Sequence, residues 1–201
     1  DLSHDRISAL RLGVSLNRCL TGCLGIDFQF SRGVDIASRS QGDVGKGTPL
    51  SRSSGKNNFS HFNLDTTYAV ALDKNLEFNI NTGGQLSLDD LLNSEQSSIT
   101  GPDKLSGFTS GSISGDESWY FRGQLNYKKK LSNKLSLTPY VYGATGVSYT
   151  FTPTATENRA TAAKSIGLGL KVDGIDNYFL DKNISAKVEY SKNWATGVLE
   201  D

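Results

Sequence analysis

Only His4 and His61 could act as general bases near neutral pH, so catalytic readings of this chain start from them. His61 shares an alternating face with Asp65, and serine is abundant, which makes a serine–histidine–aspartate arrangement the first chemistry to weigh. The run Gly111-Ser112-Ile113-Ser114-Gly115 has the outer glycines of a nucleophile elbow, but it puts Ile113 where the hydroxyl is needed. Cys19 and Cys23 flank Leu20-Thr21-Gly22 in a C-x-x-x-C pair. In an oxidising compartment such as the periplasm they could close a local disulfide, and otherwise they are two free thiols. The two cysteines and two histidines lie in separate segments without metal-ligand spacing, so neither a metal nor a cofactor is expected. The chemistry-bearing residues therefore argue against an enzyme.

The elements that would position them read as strands. Within 201 residues, 21 Lys and Arg balance 21 Asp and Glu, which gives no basic surface for nucleic acid. No apolar run reaches the 18 residues of a membrane helix, although a barrel wall, where only alternate residues face lipid, would escape that test. The chain opens on Asp1-Leu2-Ser3 without Met or a signal-peptide pattern, which suggests a processed product or part of a longer protein. Eight segments alternate with period two: about 8–16, 24–33, 59–72, 76–86, a fifth from Trp119, 135–151, 166–172 and 184–190. Leu10, Leu12, Val14 and Leu16 oppose Arg11, Gly13 and Ser15, and Trp119, Phe121, Leu125 and Tyr127 oppose Tyr120, Arg122, Gln124 and Asn126.

The connections alternate in length. Those at 17–23, 73–75, 128–134 and 173–183 are short, whereas 34–58, 87–118 and 152–164 are long. Short turns at one end and long loops at the other are the habit of outer-membrane barrels. Phe59, Trp119, Tyr127, Tyr149, Phe151 and Tyr190, near strand ends, suit interfacial girdles. The face with Asp27, Gln29, Asn63, Asp65, Glu77, Arg122 and Glu189 suits a hydrated lumen. These patterns predict an all-β, antiparallel transmembrane barrel, one domain over 1–201, with a loop at about 91–118. A soluble β-sandwich, which also leaves one face polar, and a small closed eight-stranded barrel, acting as an anchor or binding module, are the alternatives.

The segment from Ser94 to Arg122 is the most specific. Ser94-Glu95-Gln96, Gly101-Pro102, Gly107-Phe108, Gly111-Ser112, Ser114-Gly115-Asp116 and Trp119-Tyr120 with Arg122 resemble the loop-and-strand signature of the hemolysin activation/secretion (ShlB/FhaC/HecB) family of two-partner secretion transporters. Weaker matches are Ser31-Arg32-Gly33, Pro49-Leu50-Ser51-Arg52, Pro139-Tyr140-Val141 and Glu189-Tyr190-Ser191-Lys192.

That resemblance implies a sixteen-strand barrel behind periplasmic POTRA domains, of which this chain would hold the eighth to fifteenth strands. It implies export of a partner exoprotein without ATP, in a Gram-negative outer membrane, with membrane lipid and lipopolysaccharide around the wall. The loop would fold into the lumen, where a family arginine meets an aspartate of a neighbouring strand. Here Ser106 stands at the arginine position, and in Tyr142-Gly143-Ala144-Thr145-Gly146 the aspartate position is Ala144. Losing both partners avoids the stranded charge that losing one would leave. The expectation is a loop that still enters the lumen, more mobile, held by other contacts such as Asp103, Lys104 and Arg122.

Overall fold

The computed structural model describes residues 3–36, 48–132, 135–155, 157–176 and 183–198. The strands are β1 (Ala9–Cys19), β2 (Cys23–Gly33), β3 (Ser60–Ala71), β4 (Leu76–Ser87), β5 (Ser97–Ser98), β6 (Ser114–Gly115), β7 (Glu117–Tyr127), β8 (Lys129–Ser132), β9 (Leu135–Tyr149), β10 (Ala160–Asp176) and β11 (Asn183–Val198). Eight long strands pair in the order β1-β2-β3-β4-β7-β9-β10-β11, an antiparallel meander, and β8 prolongs β7 along β9. The tiny β5–β6 pair lies in the loop between β4 and β7.

Period-two alternation gives the eight long strands a mostly apolar outward face and a mostly polar inward one. Leu12 on β1 is 68% exposed and Val188 on β11 is 74% exposed, whereas inward-facing Ser31, His61, Gln85, Arg122 and Ser165 are buried. Greasy residues outside and polar residues inside are the pattern of a wall between lipid and a wet lumen. Tight turns close one end; at Asp73-Lys74-Asn75, the N–H groups of Leu72 and Asp73 donate to Leu76 O at 2.8 and 3.1 Å. Cys19 and Cys23 face each other across the β1–β2 hairpin tip and are joined by a disulfide.

Several sequence expectations change. β10 begins at Ala160, inside the segment read as a loop over 152–164, because Ala160–Ala163 are too small to register as alternation. β11 runs on to Val198, so Tyr190 lies mid-strand opposite Leu168 and is no strand-end girdle residue. Phe59 is fully buried, stacked on His61 at 5.4 Å between ring centroids, and is also not a girdle residue. The 128–134 turn is largely strand, with its tip at 133–134 outside the described residues. Also outside them are 37–47 of the 34–58 loop, 177–182 of the 173–183 turn and the last three residues of the chain.

Among the described residues no closed eight-stranded barrel forms. Among the described residues β1 and β11 each have one strand partner, so the sheet is open at both edges. Closed on itself, such a barrel would hold little more than its own side chains, whereas this inner face carries the whole 88–116 connection.

Candidate functional site

The connection between β4 and β7 crosses the polar face from one edge strand to the other. Glu95 reaches Arg11 on β1, and Ser106 and Gly107 reach Glu189 and Asn193 on β11. Seven inter-strand steps of about 4.8 Å would separate those edges by roughly 34 Å in a flat sheet. Gly101–Lys104 is a tight turn, and Thr100 bridges back to Leu105. A loop so folded can touch both edges only because the sheet curls around it.

Two ionic clusters hold its base. Asp116, fully buried where the loop returns to β7, accepts through Oδ1 from Arg52 at 2.8 Å, Leu91 N–H at 2.9 Å and Gln96 Nε2 at 3.3 Å. Its Oδ2 accepts from Phe151 N–H at 2.8 Å. Arg52 also donates to Leu91 O at 2.8 Å and Thr152 O at 3.1 Å. One buried ion pair thus stitches together the three long loops. A carboxylate with several charge-assisted donors is strongly held, and breaking such a buried pair costs about 3–5 kcal/mol. Gly115 beside it has no room for a side chain, since a Cβ would sit 2.5 Å from Tyr149 O.

Glu95 forms the second cluster. Arg11 grips its carboxylate with both terminal nitrogens, at 3.0 and 2.8 Å, and His61 Nε2 lies 3.2 Å away. The network fixes its own donor directions. Gln85 Nε2 donates to Glu95 O and Asp116 O, both at 3.1 Å, so its Oε1 accepts from Asn63 Nδ2 at 2.8 Å. Asn63 Oδ1 then accepts from His61 Nδ1 at 2.7 Å. His61 can also donate to Glu95 only when both ring nitrogens are protonated. Burial by itself would raise the Glu95 carboxyl, but hydrogen bonds from His61 and Arg11 outweigh it and hold the group below the usual carboxylate value.

The middle of the loop is apolar. Ile99 and Leu105 are fully buried, with Phe108 and Ile113 beside them, against Tyr120, Tyr140, Tyr142, Ala144 and Ala163 of the wall. Each fully buried aliphatic side chain is worth about 1.5–3 kcal/mol. Lys104 donates to Ser98 O at 2.8 Å and lies 4.7 Å from the Tyr120 ring centroid, and burial lowers its ammonium from the ordinary lysine value. Gly101, at φ 153°, and the exposed Pro102 form the turn.

At the tip, Arg122 occupies the space beside Ala144, its in-register neighbour on β9. The guanidinium stacks 3.7 Å from the Tyr142 ring centroid and donates to Ser106 Oγ at 2.5 Å, Lys104 O at 3.1 Å and Gln124 Oε1 at 2.7 Å. It meets Glu189 at 3.4 Å. Glu189 also takes hydrogen bonds from Ser106 Oγ and, at 2.7 Å, from Tyr140 OH, and pairs with Lys187 at 3.3 Å. Asn193 donates to Gly107 O at 2.6 Å, an approach a side chain would block, because a Cβ at Gly107 would lie 2.0 Å from Asn193 Oδ1.

The structure therefore gathers Ser106, Gly107, Arg122, Tyr142 and Ala144 at the tip, with Phe108 in the apolar middle and Gly115 and Asp116 at the base. Of the substitute contacts expected, Arg122 reaches the tip through its side chain, Lys104 through its backbone carbonyl, and Asp103 accepts from Asn81 at 3.4 Å through its own. The tip is held by an arginine from the wall, beside Ser106 and Ala144. Sequence reading missed Arg11, Arg52, His61 in this ionic role, Glu95 and Glu189. The Pro49-Leu50-Ser51-Arg52 match was the only signal toward any of these anchors that did not lie on a strand or in the loop motif. On the short-turn side of the tip lies a polar hollow of about 360 Å³, whose lining includes Glu77, Asn79, Gln124, Asn126, Lys171 and Lys187.

Comparisons with known proteins bear on the family and the fold. The haemolysin secretion/activation protein family ShlB/FhaC/HecB matches residues 1–195. The fold is similar to the solved structure of CdiB from Escherichia coli, with a TM-score of 0.67 and 16% identity, over 96% of this chain and 38% of that one. The chain thus spans well under half the length of that relative. Curated protein sequences return no match.

Proposed function

Because this chain belongs to the haemolysin secretion/activation protein family ShlB/FhaC/HecB, we propose that it is a major part of the wall of an outer-membrane pore that secretes a partner exoprotein without ATP, with residues 88–116 as its lumen plug. The observation that carries this reading is the loop's path across the inner face, tied to β1 by an ion pair and to β11 by hydrogen bonds. A plug so placed fills the route an exported chain would take, and its ties are polar contacts that water and substrate can replace. The chain is too short to make such a pore alone, so β1 and β11 would pair with further strands of the full-length protein, behind POTRA domains on the short-turn side. The apolar outer face would be solvated by lipid of a Gram-negative outer membrane.

The lock differs from the family's in where its arginine stands. With Ser106 on the loop and Ala144 on the wall, Arg122 supplies the guanidinium from β7 and Glu189 the carboxylate from β11. The serine hydroxyl bridges the two. The cation has moved from loop to wall, and the plug is captured without carrying a charge at that position.

Secretion tests the reading. Cells making the intact protein together with its exoprotein should release the exoprotein into the medium, and cells lacking this protein should retain it in the periplasm. Equal release with and without the protein would refute it.

A further inference from the structure

Resting on the outer-membrane reading, the outward face of β10 and β11 carries a feature that secretion does not use. Along β10 the outward residues Val172, Leu170, Leu168 and Ile166 are apolar, and the next is Lys164; along β11, Val188 and Tyr190 give way to Lys192 and Trp194. Ile166 faces Lys192 and Lys164 faces Trp194 in register, so the two lysines are diagonal neighbours across one strand pair, about 7–8 Å apart. Both are exposed, and among the described residues neither pairs with a carboxylate. Lys192 Nζ lies 5.4 Å from the Trp194 ring centroid.

Beside them the surface is hollowed. Gly143, opposite Ile166 on β9, is outward-facing, and a Cβ there would meet nothing within 4 Å. The resulting apolar depression is lined by Phe121, Gly143, Thr145, Lys164, Ile166 and Trp194. It lies toward the long-loop end, since Lys164 is close to the start of β10 at Ala160, and long loops mark the outer leaflet. Ammonium groups facing lipid are costly unless they reach anionic headgroups, and an indole favours the same depth.

We propose that this face binds the phosphorylated glycolipid of the outer leaflet, lipopolysaccharide. A phosphate of its headgroup sits between Lys164 and Lys192, and one acyl chain fills the hollow over Gly143. Charge complementarity and the leaflet assignment favour this occupant over a zwitterionic phospholipid, which offers a phosphate already neutralised by its own amine.

The test is native mass spectrometry of the intact protein in detergent, titrated separately with bisphosphorylated lipid A, dephosphorylated lipid A and phosphatidylethanolamine. Lipid A should bind at least tenfold more tightly than the other two. Lys164→Gln with Lys192→Gln should remove that preference, Gly143→Leu should weaken lipid A binding while leaving its phosphate dependence, and Lys164→Arg with Lys192→Arg should retain affinity. Equal binding of the three lipids, or undiminished preference in the double glutamine variant, would overturn the proposal. A protein that stays monodisperse in buffer without detergent would overturn the barrel reading itself, which separates the two failures.

Discussion

Replacing Arg122 with alanine should loosen the loop tip without releasing its base. The guanidinium gives the loop two charge-assisted hydrogen bonds, to Ser106 Oγ at 2.5 Å and Lys104 O at 3.1 Å. At about 1.5–3 kcal/mol each they contribute roughly 3–6 kcal/mol. The bond from Asn193 to Gly107 O and the burial of Ile99 and Leu105 remain in the variant. Since every 1.4 kcal/mol is a tenfold change in an equilibrium, the undocked tip should become about 10²–10⁴ times more populated. Planar-bilayer recording of the intact protein reads this as more frequent opening. Arg122→Lys should fall between, because an ammonium keeps the charge but loses the planar fork. Ser106→Ala, which loses the bonds to both Arg122 and Glu189, should likewise cost roughly 3–6 kcal/mol, and the double variant should cost less than the sum by about 1.5–3 kcal/mol, because both changes delete one shared bond. Unchanged opening in Arg122→Ala, or strict additivity with Ser106→Ala, would refute an arginine lock on the wall.

Asp116→Asn should be about as damaging at the base as Arg122→Ala is at the tip. It leaves Arg52 buried without a counter-ion and should destabilise the long-loop end by about 3–5 kcal/mol, read as faster proteolysis of loop 88–116. Acidification should release the Glu95 clamp. Because the folded carboxyl is held below its usual value, its contribution is present at neutral pH and is lost as pH falls through the depressed value. Hydrogen exchange of residues 93–98 followed from pH 7 to pH 3 should show the step, and Glu95→Gln should abolish it. Removing the Cys19–Cys23 disulfide, which closes a very short loop at the far end of the sheet, should cost about 2 kcal/mol locally and leave opening events unchanged.

The wall was legible in the sequence because one face of each strand must be apolar and the other polar, so Leu10 to Leu16 and Trp119 to Tyr127 announce strands on their own. Legibility failed where that contrast fades, at Ala160–Ala163 and beyond Tyr190, where small or charged outward residues blur the period. The loop motif was legible as ancestry, and Ser106 and Ala144 as departures from it. The replacement was not, because Arg122 and Glu189 are 67 residues apart in sequence and meet only through the pairing of β7, β9, β10 and β11. Arg11 and Glu95 are 84 apart, joined only because the loop crosses the sheet. Neither pair leaves a local pattern.

The placement of the loop is open to direct measurement by cross-linking. Ser106→Cys with Glu189→Cys, introduced into the intact protein with Cys19 and Cys23 replaced by serine, puts two thiols where the tip meets β11 without adding a side chain at Gly107. Mild oxidation in outer membranes should join them in most molecules and shift their migration on non-reducing gels. Efficient labelling of both thiols with no cross-link would contradict a tip docked on the inner face.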